Sequence, residues 1–302
     1  MEKAIEELRG VLGSNAVRLE EPMKAHTSFR IGGPAELFLT PENAAQLAEA
    51  IQILRRHEIP VFILGNGSNL LVRDKGIRGA VVQLSGCMSA LETDGTALYA
   101  EGGALLSAAA AKAAEAGLTG LEFASGIPGS IGGAVMMNAG AYGGEMKDVL
   151  ESVDVLTQDL RRETLPVEQL GLSYRHSSLA ERGDIVLGAR FQLEQGDLQA
   201  IQVRMVELAE QRREKQPLQY PSAGSTFKRP EGYFAGKLIQ DAGLKGKTIG
   251  GAQVSEKHAG FLINTGSATA GEMLELIAFC QRTVEEKFGV RLETEVRIVG
   301  EE

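Results

Sequence analysis

Two glycine-rich stretches are the parts of this 302-residue chain best suited to chemistry. GNGSNL, residues 65 to 70, follows the apolar run VFIL, and IPGSIGGA lies inside the densest glycine segment, SGIPGSIGGAVMMNAGAYGGE, residues 125 to 145. Backbone N–H groups that no side chain shields can donate to phosphate oxygens, in nests and at helix N-termini. GNGSNL departs from the dinucleotide fingerprint, because Leu70 occupies the third glycine position and no helical pattern follows. The two stretches together suggest a dinucleotide held across both. The other reading, that Gly129, Gly132 and Gly133 only permit tight packing of adjacent turns, stays open at this level. Ser225 stands in PSAGSTFKRP, a turn by composition, with no histidine or acid close by. No GxSxG elbow surrounds it and no GK[ST] loop is present, so neither that hydrolase chemistry nor P-loop phosphoryl transfer is indicated. Arg175 in LSYRHSS reads by itself as a loop clamp or surface residue. LETEVRIV places Glu293, Glu295 and Arg297 on one face of a predicted strand, with Val296 and Ile298 on the other. His26, His57, His176 and His258 show neither HxxxH nor HExxH spacing, so no metal is expected.

The elements that must position these residues alternate between helix and strand. An amphipathic helix is predicted over MEKAIEELRGVLG, and Thr40 and Pro41 read as cap and first residue of a helix through TPENAAQLAEAIQILRRHEI. Strands follow at VFILG, GAVVQL and ALYAEG, then an alanine-rich helix ending at Gly117. Residues 125 to 145 hold too much glycine for a packed helix. ESVDVLTQ and DIVLGARFQL read as strands around a turn-rich interval holding Arg175, and a first large unit closes near residue 195. DLQAIQVRMVELAEQRREKQ is predicted as a long amphipathic helix stopped by Pro217. A second set follows: a helix around FAGKLIQDAG, strands at TIGGAQVS and GFLINTG, the helix TAGEMLELIAFCQRTVEEKFG and a final strand RLETEVRIV.

Composition bounds the function. The length suits two or three domains, each with its own core. A net charge of −9, from 31 Lys+Arg against 40 Asp+Glu, argues against a nucleic-acid partner and leaves room for a local basic pocket. Cys87 and Cys280 lie far apart, with neither disulfide-framework nor zinc spacing, which fits a reducing cytoplasm. No apolar run is long enough for a membrane span, and the N-terminus lacks the pattern of an export signal.

The ordered series GNGSNLL, GIPGSIGGAVMMNAGAYG, LSYRHSS, AGSTFK, AGKLIQDAGLKG, KHAGFLIN and LETEVRIVG, spread over most of the chain, strongly resembles the UDP-N-acetylenolpyruvoylglucosamine reductase family. The resemblance implies an α+β protein with a two-subdomain FAD-binding fold of the vanillyl-alcohol-oxidase (PCMH) type and a C-terminal α+β substrate domain. Its implied boundaries are 1–85 for the first FAD subdomain, completed by the terminal strand 291–302, then 86–197 for the second and 198–302 for the substrate domain. It implies noncovalent FAD, NADPH as reductant, and UDP-N-acetylglucosamine enolpyruvate as the substrate reduced in cytoplasmic peptidoglycan precursor synthesis. Neither a nucleic-acid, a membrane nor an obligate protein partner is implied. By motif match, Arg175, Ser225 and Glu295 are the expected catalytic set. Gly65, Asn66, Gly67, Ser68, Asn69 and Leu70, with Gly126, Ile127, Pro128, Gly129, Ser130, Gly132, Gly133, Ala134, Asn138, Ala139 and Gly140, are the expected FAD cradle. Lys215, Lys228 and Arg229 are expected at the substrate diphosphate; Arg229 replaces the asparagine of the family form FKNP. The short interval between Arg175 and Asp184 implies the family form lacking an extra tyrosine-bearing loop. Two alternatives remain: a flavin oxidase of the same fold group, which often carries a histidine bonded to the flavin, and a nonenzymatic nucleotide-binding module. No histidine falls within the two glycine stretches.

Overall fold

The computed structural model describes residues 1–302. The chain forms two compact units that interleave in sequence. The first holds residues 1–19, 37–66 and 79–212, the second residues 20–36, 67–78 and 213–302.

In the first unit, α1 (Glu2–Leu12) buries Ala4, Leu8 and Leu12, one residue per turn along a single face. α2 (Ala44–Arg56) buries Leu47, Ile51 and Leu54 as the periodicity predicts. Its start corrects the expected cap. Asn43, not Thr40, caps the helix, its side-chain oxygen accepting from the amides of Ala45 and Gln46 at 3.0 Å each. Thr40 lies three residues before that cap, and its N–H donates to the Ala16 carbonyl at 3.1 Å. Asn43→Ala is expected to lower stability by about 1 kcal/mol, read as a shift of the urea midpoint without a change in slope.

A four-stranded sheet runs in the order Val17–Pro22, Pro34–Leu39, Ile77–Gln83, Val61–Leu64, the last two parallel. A five-stranded antiparallel sheet runs Arg162–Pro166, Leu150–Leu156, Ile185–Gln192, Ala97–Glu101, Leu91–Asp94. Its edge strand Arg162–Pro166 gave no periodic signal, since Leu165 is its sole buried residue. The alanine-rich α3 (Leu106–Glu115) is buried along Ala109, Ala110, Ala113 and Ala114, the first three in the same core as Leu98, Val153 and Phe191. Gly117 follows its end at φ 70°.

The second glycine segment also departs from expectation, because it contains a helix, α4 (Ile131–Met136), with Ile131, Ala134 and Val135 buried. Glycine is tolerated there for a packing reason: a Cβ at Gly132 would stand 3.1 Å from the Gly102 carbonyl oxygen. One turn of helix, α5 (Leu179–Arg182), and the long α6 (Leu198–Lys215) complete the helices that begin in this unit; α6 buries only Ile201 and Leu208.

The second unit packs α7 (Ala235–Asp241) and α8 (Ala270–Phe288) with a three-stranded sheet of Thr248–Ile249, Ala252–Val254 and Leu262–Asn264. TIGGAQVS is thus a hairpin instead of one strand. Ile249 pairs with Ala252 across a Gly-Gly loop in which Gly250 has φ 53°, the chemistry that two-residue hairpins favour. α8 begins with a capping box between Thr269 and Glu272. Its first amides are also met by Asp74, whose carboxylate accepts from Ala270 at 2.8 Å and Gly271 at 2.9 Å. The Thr269 and Gly251 amides hold the Glu272 carboxyl below its ordinary value. Regular strand in the final segment is confined to Arg297–Val299, parallel to Leu70–Val72, because residues 293 to 296 pair with a different segment, 226 to 228. Burial pushes the Cys280 thiol of α8 up to about 12. No helix is long and apolar enough to cross a membrane.

Candidate active site

Strand Val61–Leu64 delivers Gly65 and Asn66 to the first unit's second glycine loop. The Asn66 side-chain amide donates to the Pro128 carbonyl at 2.6 Å, and its oxygen accepts from the Ser85 hydroxyl at 3.3 Å. A Cβ at Gly65 would fall 2.3 Å from Ser130 Oγ, so glycine is what lets the loops meet. Ser130 is 1% exposed and caps α4, accepting from the Gly133 amide at 3.4 Å. The Ile131 and Gly132 amides donate to the carbonyls of Ala104 and Gly102 at 2.8 Å, and Ile127 donates to Ala124 at 3.0 Å. Close packing is therefore reason enough for glycine at 65 and favours it at 132. Several amides counted as open from sequence are committed within the protein.

Asn138, at the end of this segment, is a hub. It is 1% exposed with φ 43°. Its amide nitrogen donates to Glu145 at 2.5 Å and to the Ser173 carbonyl at 3.2 Å, and its oxygen accepts from the Lys147 amide at 3.0 Å. The adjacent chain is pinned too, with Ala139 donating to Ala134 at 2.8 Å and Gly140 paired with Glu145. The bond to Ser173 anchors the hairpin that presents Arg175. Ser173 and His176 exchange amide bonds of 3.2 Å, leaving Tyr174 and Arg175 as a two-residue loop. Arg175 adopts φ 54°, a conformation that non-glycine residues hold only when their surroundings impose it, and its guanidinium carbon lies 5.2 Å from the centroid of the Tyr174 ring. Asn138→Ala removes the Lys147 amide's acceptor and leaves the Ser173 carbonyl with the His176 amide alone, so a loss of about 1 to 3 kcal/mol is expected. Urea unfolding checks this, and proteolytic nicking near residue 175 should rise with it.

In the second unit, Ser225 sits in a turn clamped on several sides. Gly224 supplies φ 75°. Thr226, 0% exposed, donates its amide to the Gly260 carbonyl at 2.9 Å and accepts at Oγ1 from the Leu262 amide at 3.2 Å. The Thr226 carbonyl accepts from the Glu295 amide at 2.8 Å, Phe227 bridges to Thr294, and the Lys228 amide donates to the Glu293 carbonyl at 2.8 Å. This short ladder brings Ser225 and Glu295 together from distant parts of the sequence. Arg175 belongs to the first unit.

The loop Gly67 to Leu70 joins the same assembly. The Asn69 side chain donates to the Glu295 carbonyl at 3.0 Å, and the Arg297 amide donates to the Asn69 carbonyl at 3.0 Å. Sequence reasoning missed the segment KAHTSFRIGG, residues 24 to 33, which supports this loop. The Ser28 amide donates to Gly67 at 3.1 Å, while its hydroxyl reaches the carbonyls of Ser68 at 3.3 Å and Ser222 at 2.7 Å. The Gly32-Gly33 pair was the available signal: a Cβ at Gly33 would meet the Asp74 carbonyl oxygen at 2.1 Å. Of the expected diphosphate cations, Lys228 stands 3.3 Å from Glu293, Arg229 stacks 4.1 Å from the centroid of the Phe234 ring, and Lys215 is exposed at the end of α6. No cluster of three His, Cys, Asp or Glu side chains is placed to hold a metal ion.

The FAD binding domain family matches residues 35–161. A 4-ethylphenol oxidase from Gulosibacter chungangensis shares the fold, with TM-score 0.51 and 17% identity over 64% of this chain and 42% of that one. The protein is a flavoprotein with an α+β, FAD-binding fold of the vanillyl-alcohol-oxidase type and a further C-terminal domain. That domain, residues 216–299, matches the UDP-N-acetylenolpyruvoylglucosamine reductase C-terminal domain family. Reductases of that name from Caldanaerobacter subterraneus and Clostridium botulinum are 55% and 53% identical, covering 98% and 99% of this chain and 98% and 97% of their own. The crystal structure of the reductase from Thermus caldophilus matches with TM-score 0.81 and 40% identity over 93% of this chain and 99% of that one. The chain belongs to the UDP-N-acetylenolpyruvoylglucosamine reductase family.

Proposed function

We propose that the protein reduces the enolpyruvyl group of UDP-N-acetylglucosamine enolpyruvate, giving UDP-N-acetylmuramate, with bound FAD and with NADPH as the reductant. The family relationship along nearly the whole chain supports this reading. The observation that carries it into chemistry is the ladder joining the Ser225 turn to Glu295. The residues around the two glycine loops fit a noncovalent dinucleotide: side chains are absent where the loops approach, and neither loop contains a histidine. Gly65 to Leu70, with Gly126 to Ala134 and Asn138 to Gly140, would hold the cofactor. The Asn138 side chain is committed to its protein partners, so its part would be played by the backbone.

Once reduced by NADPH, FAD held there would supply the hydride that the terminal enolpyruvyl carbon takes up. Negative charge then develops on the neighbouring carbon and its carboxylate. Arg175, always charged and planar, is suited to bind that carboxylate in the fork geometry a lysine lacks. The Ser225 hydroxyl gives its proton to the carbon; it is a weak acid, but a carbanionic centre is a strong base, and the clamped turn fixes where the hydroxyl stands. Glu295 shares or orients the proton from the adjoining segment. Lys215, Lys228 and Arg229 neutralise the diphosphate. The same reading puts the protein in the cytoplasm, with no obligate protein partner.

Anaerobic half-reactions test this. NADPH should bleach the flavin absorbance, and the enolpyruvyl substrate should restore it. An unbleached flavin would instead indicate a nucleotide-binding module, and oxygen consumption with an alcohol would indicate an oxidase.

A further inference from the structure

Arg212 lies on α6 along the face that carries Ile201 and Leu208, the two residues this helix buries. Its guanidinium packs against the start of the second glycine loop. A Cβ at Gly126 would meet Arg212 Nη1 at 2.9 Å and Cδ at 3.1 Å, so glycine at 126 makes room for the arginine as well as for the turn. Arg212 is half-buried, and burial pushes its guanidinium below the ordinary value. The titratable neighbour acting on it is the Tyr142 phenol, and no carboxylate pairs with it. Other arginines of this unit are paired with carboxylates. Arg182 stands 2.6 Å from Asp184 and Arg190 stands 2.9 Å from Glu151, for example. A guanidinium withdrawn from water without an anion is unfavourable, and removing the charge by deprotonation is not open to arginine. The helix nevertheless spends a position on its buried face on this side chain and aims it at a loop with no acidic residue between Ser125 and Tyr142.

We propose that Arg212 binds a negative charge of the FAD cofactor, supplying the counter-charge that the 126–133 loop has no side chain to supply. This rests on the flavoprotein reading of the site. Two parts of FAD carry such a charge, the diphosphate always and the isoalloxazine ring once reduced. Arg212 acts on whichever lies over Gly126.

The test uses holoenzyme of the wild type, Arg212→Met and Arg212→Lys, with two readouts. Flavin release on dilution, followed by fluorescence, gives the affinity of the oxidised cofactor, and anaerobic dye equilibration gives the flavin midpoint potential. A diphosphate contact predicts that Arg212→Met weakens FAD binding by about 10- to 100-fold at unchanged potential. A ring contact predicts a lower potential with little change in oxidised affinity. In either case Arg212→Lys should recover part of the effect, since it keeps the charge and loses the fork. Affinity and potential both unchanged in Arg212→Met would overturn the proposal. So would a variant whose urea midpoint falls while both flavin readouts, taken on the folded fraction, stay at wild-type values, because that is the signature of a packing role alone. Wild-type protein that holds no FAD would overturn the flavoprotein reading itself, and this inference with it.

Discussion

Ser225→Ala is expected to leave bleaching of the flavin by NADPH intact and to slow its reoxidation by the enolpyruvyl substrate by about two orders of magnitude or more. The size follows from the role. General-acid assistance contributes ~10² to 10⁴ in rate, roughly 3 to 5 kcal/mol of barrier, and no second hydroxyl replaces it, because Thr226 Oγ1 is fully buried and accepts from the Leu262 amide. The selectivity follows from the backbone. Gly224, the Thr226 amide and carbonyl, and the Phe227 bridge to Thr294 all hold the turn without using the Ser225 side chain. Alanine should therefore remove a hydroxyl and little else, and the urea midpoint should stay within about 0.5 kcal/mol of wild type. Stopped-flow absorbance of the two half-reactions decides the matter. Unchanged reoxidation would remove Ser225 from the proton transfer, and equal slowing of both halves would mean that the substitution disturbs the site as a whole.

Helices with one buried face were legible because their signal is local. Ala4, Leu8 and Leu12, or Leu47, Ile51 and Leu54, announce themselves by spacing alone. Elements whose reason lies in a distant partner were not. Thr40 and Asn43 are both good capping types, and Asn43 is the one whose side-chain oxygen accepts from the first helical amides, those of Ala45 and Gln46. Glycine content argues against a helix at Ile131–Met136, yet Gly132 packs closely there, a Cβ coming within 3.1 Å of the carbonyl oxygen of Gly102, about thirty residues away. The terminal segment alternates like one strand but changes partners midway, from residues 226 to 228 to Leu70–Val72.

The candidate site divides in the same way. Ser225, Glu295 and Arg175 can be proposed from sequence because each lies in a recognisable motif, although neither the turn nor the charged strand means anything singly. Residues that work through others left no such trace. Ser28 looks like any loop serine until its hydroxyl is seen between Ser68 and Ser222, and nothing in the sequence near Asn138 announces the three bonds its side chain makes within the protein. Arg212 sits in QRREKQ, a run of charges that reads as a solvated helix end. Only its burial and its approach to Gly126 distinguish it from Arg213 beside it.

Gly67→Ala is expected to be the most damaging single-methyl change in the site, and a matched control shows why. Gly67 has φ 62°, and a Cβ there would stand 1.9 Å from the His26 carbonyl oxygen and 3.1 Å from Thr27 Cα. Left-handed backbone costs a non-glycine residue ~1 to 2 kcal/mol, and forcing extra volume into a packed site adds ~1 to 3 kcal/mol, so a loss of roughly 2 to 5 kcal/mol is expected. The obstacle is backbone on both counts, so no rotamer change relieves it. The segment that would have to yield includes Ser28, whose amide bonds Gly67 and whose hydroxyl bonds Ser222 just before the Ser225 turn. Damage at Gly67 should thus reach reoxidation as well as flavin retention. Gly86→Ala supplies the control, since Gly86 also has positive φ, 83°, but nothing stands within 4 Å of its Cβ. It should lose only the ~1 to 2 kcal/mol of the backbone term and keep its flavin. Urea midpoints and the flavin-to-protein absorbance ratio, measured side by side, check both. Equal losses in the two variants would mean that the approach of His26 to Gly67 is not what requires glycine at this position.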